Sequence, residues 1–431
     1  MHEENYNILS GMKKIISLLS AVLLAVGLQA ANPVKVTVSN SLNSARTQEM
    51  VEIPLATLQK KLGNTNQFIV TDADGKEVPS QLTYDQKLIF QPAVGAKAKS
   101  VYYVKPGIHS FYEPRVFGRQ FPERVDDMAW ENDLVAFRCY GPALQKSGER
   151  AWGYDIWNKR TSKLVVAERY AQELDKEVSS VRSKLQKLGQ NDLADDVYNA
   201  VSYHVDHGTG MDCYKVGPTL GAGTTAILAN NGADIVYPKC YSEYEILDKG
   251  PLRFTVKLVY GKETLNGQDY TETRVITLDA GSQLNKAVVT YSGLSKATPI
   301  ATGIIVHNEN PTAYVFNNSA AYMGYEDLGD PNQYKEKYRA KQNKDFGKIY
   351  VGAVYPQKPA KMEYRAGEGL PGACGHILGI SNYKPSSFYT YYFGSGWSRN
   401  PNTNFQSLTD WEAYLSRFAQ QLKSPLKVSV K

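Results

Sequence analysis

The sequence predicts a mainly β protein in two parts: a small immunoglobulin-like sandwich, then a much larger β body with one helical insertion. Three observations predict it. Apolar and polar residues alternate with period two in many short runs, as in Val34-Lys35-Val36-Thr37-Val38 and Phe254-Thr255-Val256-Lys257-Leu258. The 431 residues include 30 tyrosines and 34 glycines, types enriched in strands and in turns. Only residues 163–200 carry a strongly helical period.

The elements follow in chain order. Met12 reads as the true start of an export signal: Lys13 and Lys14, the apolar run Ile15 to Leu28, and Gln29-Ala30-Ala31 with cleavage after Ala30. The run is too short to favour a membrane span. No cysteine follows it to carry a lipid, so a periplasmic or secreted protein with no membrane anchor is expected. Residues 32–106 form the sandwich. Its strands include Val34–Val38, Phe68–Thr71, Leu88–Phe90 and Val101–Val104, with a hairpin signal at Asp72-Ala73-Asp74-Gly75-Lys76. Lys105-Pro106-Gly107 marks the boundary, and residues 107–431 form the larger body.

In the body, the run from Trp130 holds a strand that stops at Gly141-Pro142. Tyr170, Leu174, Val178, Val181, Leu185 and Leu188 then share one helical face, which reads as packing. Gly189-Gln190-Asn191 breaks that helix, and Asp192 is suited to cap a second one running to about Val201. Strands follow at 253–260, 271–278, 284–291, 300–306, 348–355 and 388–393, and Trp411 to Leu422 reads as a closing helix.

Composition excludes several classes. The formal charge is +6, with acidic and basic residues interspersed, so no nucleic-acid partner is expected. Cys139, Cys213, Cys240 and Cys374 show no Cys-x-x-Cys spacing, which excludes a zinc ribbon, and read as mostly buried thiols. Gly217-Pro218-Thr219-Leu220-Gly221-Ala222-Gly223 lacks the Gly-Lys-Ser/Thr ending of a phosphate loop. No cofactor is expected. Oligomeric state has no signature.

The chemistry concentrates in Tyr203-His204-Val205-Asp206-His207-Gly208-Thr209-Gly210-Met211-Asp212-Cys213-Tyr214-Lys215, which holds two of the chain's 6 histidines. Imidazole and phenol can be tuned toward working pH, so His204 or His207 serves as a base and Tyr214 as an acid. Lys215, Arg138 or Arg274 would hold a substrate carboxylate. Glu272 or Glu131 would assist in a hydrolytic or mutarotase-like variant. Trp130, Tyr140, His307 and Trp397 complete the binding candidates, with Trp397 read as lying in an exposed loop, and Trp152 and Trp157 are further possible sugar platforms. No metal is expected. His204, Asp206 and His207 form the weak alternative, since their spacing is not that of a helical zinc site.

Trp130-Glu131-Asn132-Asp133, Phe137 to Leu144 and His207 to Gly223 together make the chain from Asn32 onward resemble a family of exported bacterial proteins labelled as a domain of unknown function. That family typically occurs in polysaccharide-utilisation clusters, beside enzymes acting on unsaturated uronic acids. Thr273 to Ser282 resembles the β-supersandwich of galactose-mutarotase-like proteins. The resemblance implies a supersandwich fold and a glycan context. With the residues above, the expectation is a protein that processes acidic, uronate-containing oligosaccharides, a lyase ahead of a hydrolase or epimerase. The alternative is a non-catalytic glycan-binding module.

Overall fold

The structure, a computed structural model, describes residues 32–329 and 346–431. The expected export signal at 1–31 lies outside them. The chain is mainly β throughout.

The N-terminal unit is two facing sheets. One runs in the order Lys427–Val430, Val34–Ser39, Lys99–Pro106, Phe68–Asp72, Glu77–Val78, and the other in the order Val51–Pro54, Lys87–Phe90, Ser80–Leu82. Alternation sends Val36, Val38, Val70, Val104 and Phe90 inward, where they meet Leu58 of the short helix Leu55–Leu62. The edge strand Lys427–Val430 comes from the far end of the sequence and was not anticipated. It pairs antiparallel with Val34–Ser39, setting Val36 opposite Val430.

The larger body is built from three further sheets. A sheet of nine strands has the main order Tyr241–Lys249, Arg253–Tyr260, Gln268–Asp279, Leu284–Ser292, Tyr389–Trp397, Lys348–Val354, Tyr322–Leu328, Tyr314–Asn317, with the ninth, Glu263–Leu265, paired to Gln268–Asp279 off this path. A second sheet is built around Ala222–Ala229, Thr298–His307 and Ala373–Tyr383. A third contains Val116–Phe121, Asp127–Asn132, Ala136–Cys139, Asp155–Lys159 and Gly210–Asp212 in that order. All three contribute to one core that includes Phe137, Phe254, Ile276, Ile304 and Phe393. On the outer face of the large sheet lies the helix Leu408–Lys423. Trp411, Leu415 and Ala419 pack there on Tyr322, Tyr350 and Val354. Its start is fixed by Ser407, which accepts from the Asp410 amide while Asp410 accepts from the Ser407 amide.

The insertion differs from expectation. It is three helices, Val166–Glu173, Lys176–Lys187 and Asn191–Asn199. Asp175 divides the long run because its carboxylate caps the second helix, accepting from the amides of Glu177 and Val178. Only the first part of the anticipated face packs. Tyr170 is buried against Phe121, Trp157 and Tyr203, whereas Val181 and Leu188 are 46% and 75% exposed. The four cysteines are separate thiols, with Cys139 and Cys213 buried.

Candidate active site

The third sheet brings the site together. Asp155–Lys159 runs between Ala136–Cys139 and Gly210–Asp212, with Arg138 opposite Asp155 and Trp157 opposite Asp212. Gly210 permits that approach. It has φ 104°, and a Cβ there would lie 2.1 Å from the carbonyl oxygen of Asn158. Arg138 is nearly enclosed. Its Nε donates to Asp155 at 2.8 Å, and its Nη2 donates to both Asp155 and Asp212, the latter at 2.8 Å. Asp127 stands 3.7 Å from Nη1 and accepts the Tyr170 hydroxyl at 2.9 Å. Tyr140 donates its hydroxyl to Asp155 at 2.9 Å.

Three buried carboxylates thus surround one guanidinium. Burial pushes the Asp127 carboxyl up to about 6, against the opposing pull of Arg138 and Arg124. Burial also raises Asp155, with Arg138 again opposing. A surplus of carboxylate in a dry interior is costly for a scaffold and characteristic of sites that handle protons.

His204 stands at the rim of this cluster, its side chain 29% exposed. Its Nδ1 lies 3.1 Å from the Asp212 carbonyl oxygen and 3.7 Å from the Asp212 carboxylate. A carbonyl only accepts, so this contact holds the ring proton on Nδ1 and puts the lone pair on Nε2. The adjoining turn is fixed by Glu173, which accepts from the Ser202 hydroxyl and the Tyr203 amide. Asp206 closes it by accepting from the amides of Gly208 and Gly210. Its other oxygen is 3.2 Å from both Arg160 and Arg399. Burial works against this charge, but the two amides and the two guanidinia hold the carboxyl below its usual range.

Several anticipated roles need correcting. Tyr214 is buried and so not placed to meet a ligand; burial raises its phenol, as it does that of the only partly buried Tyr140, well above the ordinary value. Its ring meets that of His307 edge-on, with centroids 5.7 Å apart, and the charges of Asp327 and Asp155 both act on it. His307 pairs with Asp327 in a second polar cluster. It is enclosed, with Nδ1 2.9 Å from Asp327 and Nε2 2.9 Å from the Lys215 carbonyl oxygen. Burial disfavours its charge, yet Asp327 raises its pKa overall. Both nitrogens serve the scaffold. The Lys215 side chain is half-buried against Gly372, where a Cβ would come 2.8 Å from Nζ.

Arg274 and Glu272 form a third, separate cluster in the core. Arg274 is fully buried, donating to Glu272 at 2.5 Å, to the Tyr260 hydroxyl at 2.8 Å and to the Thr225 carbonyl at 3.1 Å. Glu272 also accepts from Thr225 at 3.1 Å. Neither is available to substrate. Arg138 is likewise committed to its aspartates. Trp130 is buried and donates to Asn285 at 2.7 Å. Glu131 is buried, bonded at 2.6 Å to Lys159 and at 2.7 Å to the amides of Val165 and Val166, where it anchors a helix start. Trp397 is not on an exposed loop. It ends the strand Tyr389–Trp397, is 2% exposed, and donates to the Phe346 carbonyl at 2.9 Å.

The alternative metal triad is also committed elsewhere. Asp206 is engaged as above, and His207 Nε2 lies 3.2 Å from the Ser202 carbonyl oxygen. Among the described residues no group of three or more His, Cys, Asp or Glu side chains is arranged to hold a metal ion. Of the candidates, the structure therefore brings together His204, His207, Arg138 and Tyr140. It adds Asp127, Asp155, Asp212, Arg160 and Arg399. Asp155 had a readable signal, being an acid inside the apolar run Tyr154-Asp155-Ile156-Trp157.

Residues 38–428 match the family described as "Domain of unknown function (DUF4861)". Uncharacterized protein P7 of Formosa agariphila is 24% identical over 413 residues, covering 92% of this chain and 93% of that protein. Among solved structures, an α-mannosidase from Enterococcus faecalis V583 aligns with TM-score 0.44 and 10% identity, over 93% of this chain and 46% of that one. A protein of glycosyl hydrolase family 38 from Enterococcus faecalis aligns with TM-score 0.44 and 11% identity, over 93% and 47%. The chain thus spans under half the length of these two structures.

Proposed function

The chain belongs to the DUF4861 domain family, and on that premise we propose that it is a carbohydrate-active enzyme. It acts on uronate-containing, pectin-type oligosaccharides by proton transfer at His204. One observation carries this reading. A partly exposed imidazole, its proton held on Nδ1 by Asp212, stands over buried carboxylates in surplus. That is the arrangement of a general base with an orienting partner.

In an elimination, His204 Nε2 takes the C5 proton of the uronate. The electron pair forms the C4=C5 bond, the C4–O4 bond breaks, and O4 leaves with the proton of Tyr140, whose hydroxyl is bonded to Asp155. Arg160 and Arg399, held together by Asp206, take the role of carboxylate partner expected of Lys215, Arg138 or Arg274. The same reading has the chain exported to the periplasm or beyond, and sequencing the mature N-terminus would find Ala31 in first place.

The test is product analysis by mass spectrometry and ultraviolet absorbance, after incubation with saturated and unsaturated acidic oligosaccharides. A conjugated, unsaturated product is expected. His204→Ala should lower turnover roughly 10²–10⁴-fold with binding and melting temperature kept. A product that gains water, or a new sugar epimer, would keep the site but change the reaction class. If no glycan is altered, or His204→Ala is as active as the parent, the reading fails.

A further inference from the structure

A well-formed cavity lies away from His204. It is a groove of about 440 Å³ between the N-terminal unit, the outer face of the large sheet and the helix Leu408–Lys423. That size suits a small organic ligand, and domain junctions are where such sites form. Strand alternation builds its floor. Phe254, Ile276, Ala287 and Phe393 point into the core. Their neighbours Thr255, Thr277, Lys286 and Tyr392 take the other face and line the groove. The register sets these four in one row across four strands, Thr255 opposite Thr277, Thr277 opposite Lys286, Lys286 opposite Tyr392. With strands about 4.8 Å apart the row spans about 14 Å.

The row reads hydroxyl, hydroxyl, ammonium, phenol. The helix adds Tyr414 and Arg417 above it. Most charges in the groove neutralise one another, Arg253 with Asp279 and Glu52, Lys87 with Glu52 and Asp85, Arg46 with Glu49. Lys286 and Arg417 are exposed and have no acidic partner among the described residues.

We propose that this groove is a second binding site that takes an anionic oligosaccharide, with Lys286 and Arg417 meeting its carboxylate or sulfate groups and Tyr392 and Tyr414 meeting its ring faces and hydroxyls. The saccharide class rests on the function proposed above. The anionic preference rests on the two cations that lack an acidic partner among the described residues, Arg417 being held over the Tyr414 ring at 5.7 Å.

The experiment is titration calorimetry on the whole protein at low and moderate salt. The probes are an oligogalacturonate, a sulfated oligosaccharide of similar length, and a neutral maltooligosaccharide. They are run against the parent, Lys286→Ala/Arg417→Ala, Lys286→Arg/Arg417→Lys, and His204→Ala. The expected result is binding of one or both anionic probes that the double alanine variant weakens at least tenfold, the charge-keeping variant largely restores, and salt weakens. The carboxylated and sulfated arms tell which anion is taken. His204→Ala should leave this binding unchanged, so groove binding and turnover fail separately. The proposal is overturned if neither anionic probe binds, if the neutral one binds as tightly, or if the double alanine variant binds like the parent.

Discussion

Asp127 shows what the fold does to a single side chain. It is fully buried, one oxygen bonded to Tyr170, the other without a hydrogen-bond partner among the described residues. Its carboxyl rises from 3.8 to about 6 because burial outweighs Arg138 and Arg124. The proton is therefore bound more tightly in the folded chain than in the unfolded one. This stabilisation is complete below the unfolded pKa and is lost as pH rises through about 6. The parent should lose on the order of 2 kcal/mol between pH 4 and 7 from this group. Asp127→Asn should flatten that part of the stability curve, as read by chemical denaturation at stepped pH. Identical pH curves for parent and variant would remove this assignment. At this scale the sequence was a partial guide. The crowding of polar groups around His204 was visible, but a residue's type does not reveal whether its partners are already filled. Arg274 and His307 looked like ligand groups, and both are saturated by core neighbours, some two residues away and others on distant strands.

Among elements, the join between the strand Asp127–Asn132 and the helix Val166–Glu173 is made by Glu131 and Lys159. Both are buried and bonded to each other at 2.6 Å, and burial lowers the lysine pKa. Glu131→Ala strips the amides of Val165 and Val166 of their acceptor and leaves the buried Lys159 ammonium without its counter-ion, bonded only to the Asn132 carbonyl among the described residues. A loss of about 3–5 kcal/mol is expected. Glu131→Met with Lys159→Met should recover a good part of it, because no charge is then stranded. If the double variant melts as low as the single one, the stranded lysine is not the cause. Strands were the most legible elements, since one period fixes both identity and facing, as Phe254, Val256 and Leu258 demonstrate. The insertion was less so. A helical period runs on from Tyr170 to Leu188, but Asp175 can cap a new helix, and Val181 and Leu188 have little to pack on.

For the whole molecule, the N-terminal unit and the body are locked by contacts that skip most of the sequence. Gln81 accepts from the amides of Leu252 and Arg253 at 3.0 and 2.8 Å, and Arg46 donates to the Ser424 carbonyl at 2.7 Å. Lys427–Val430 then closes the first sheet, with Val428 and Val430 partly buried against its core. Removing residues 427–431 should cost roughly 2 kcal/mol. Hydrogen exchange should then accelerate at 34–39 while the strand Arg253–Tyr260 stays protected. Equal exchange at 34–39 in both chains would mean that the added strand contributes nothing. That the last strand joins the first sheet could not be read from the sequence, because local periodicity carries no record of which strand, hundreds of residues away, becomes a neighbour.

That pairing has a bearing on how the chain is born. A ribosome delivers Val34–Ser39 long before Lys427–Val430, so for nearly the whole of synthesis the first strand presents a bare row of amides and carbonyls. Any newborn sister chain offering the same bare row is a rival for it. A chaperone that shields this one edge, or a slower supply of ribosomes, would be the means of raising the yield of soluble product.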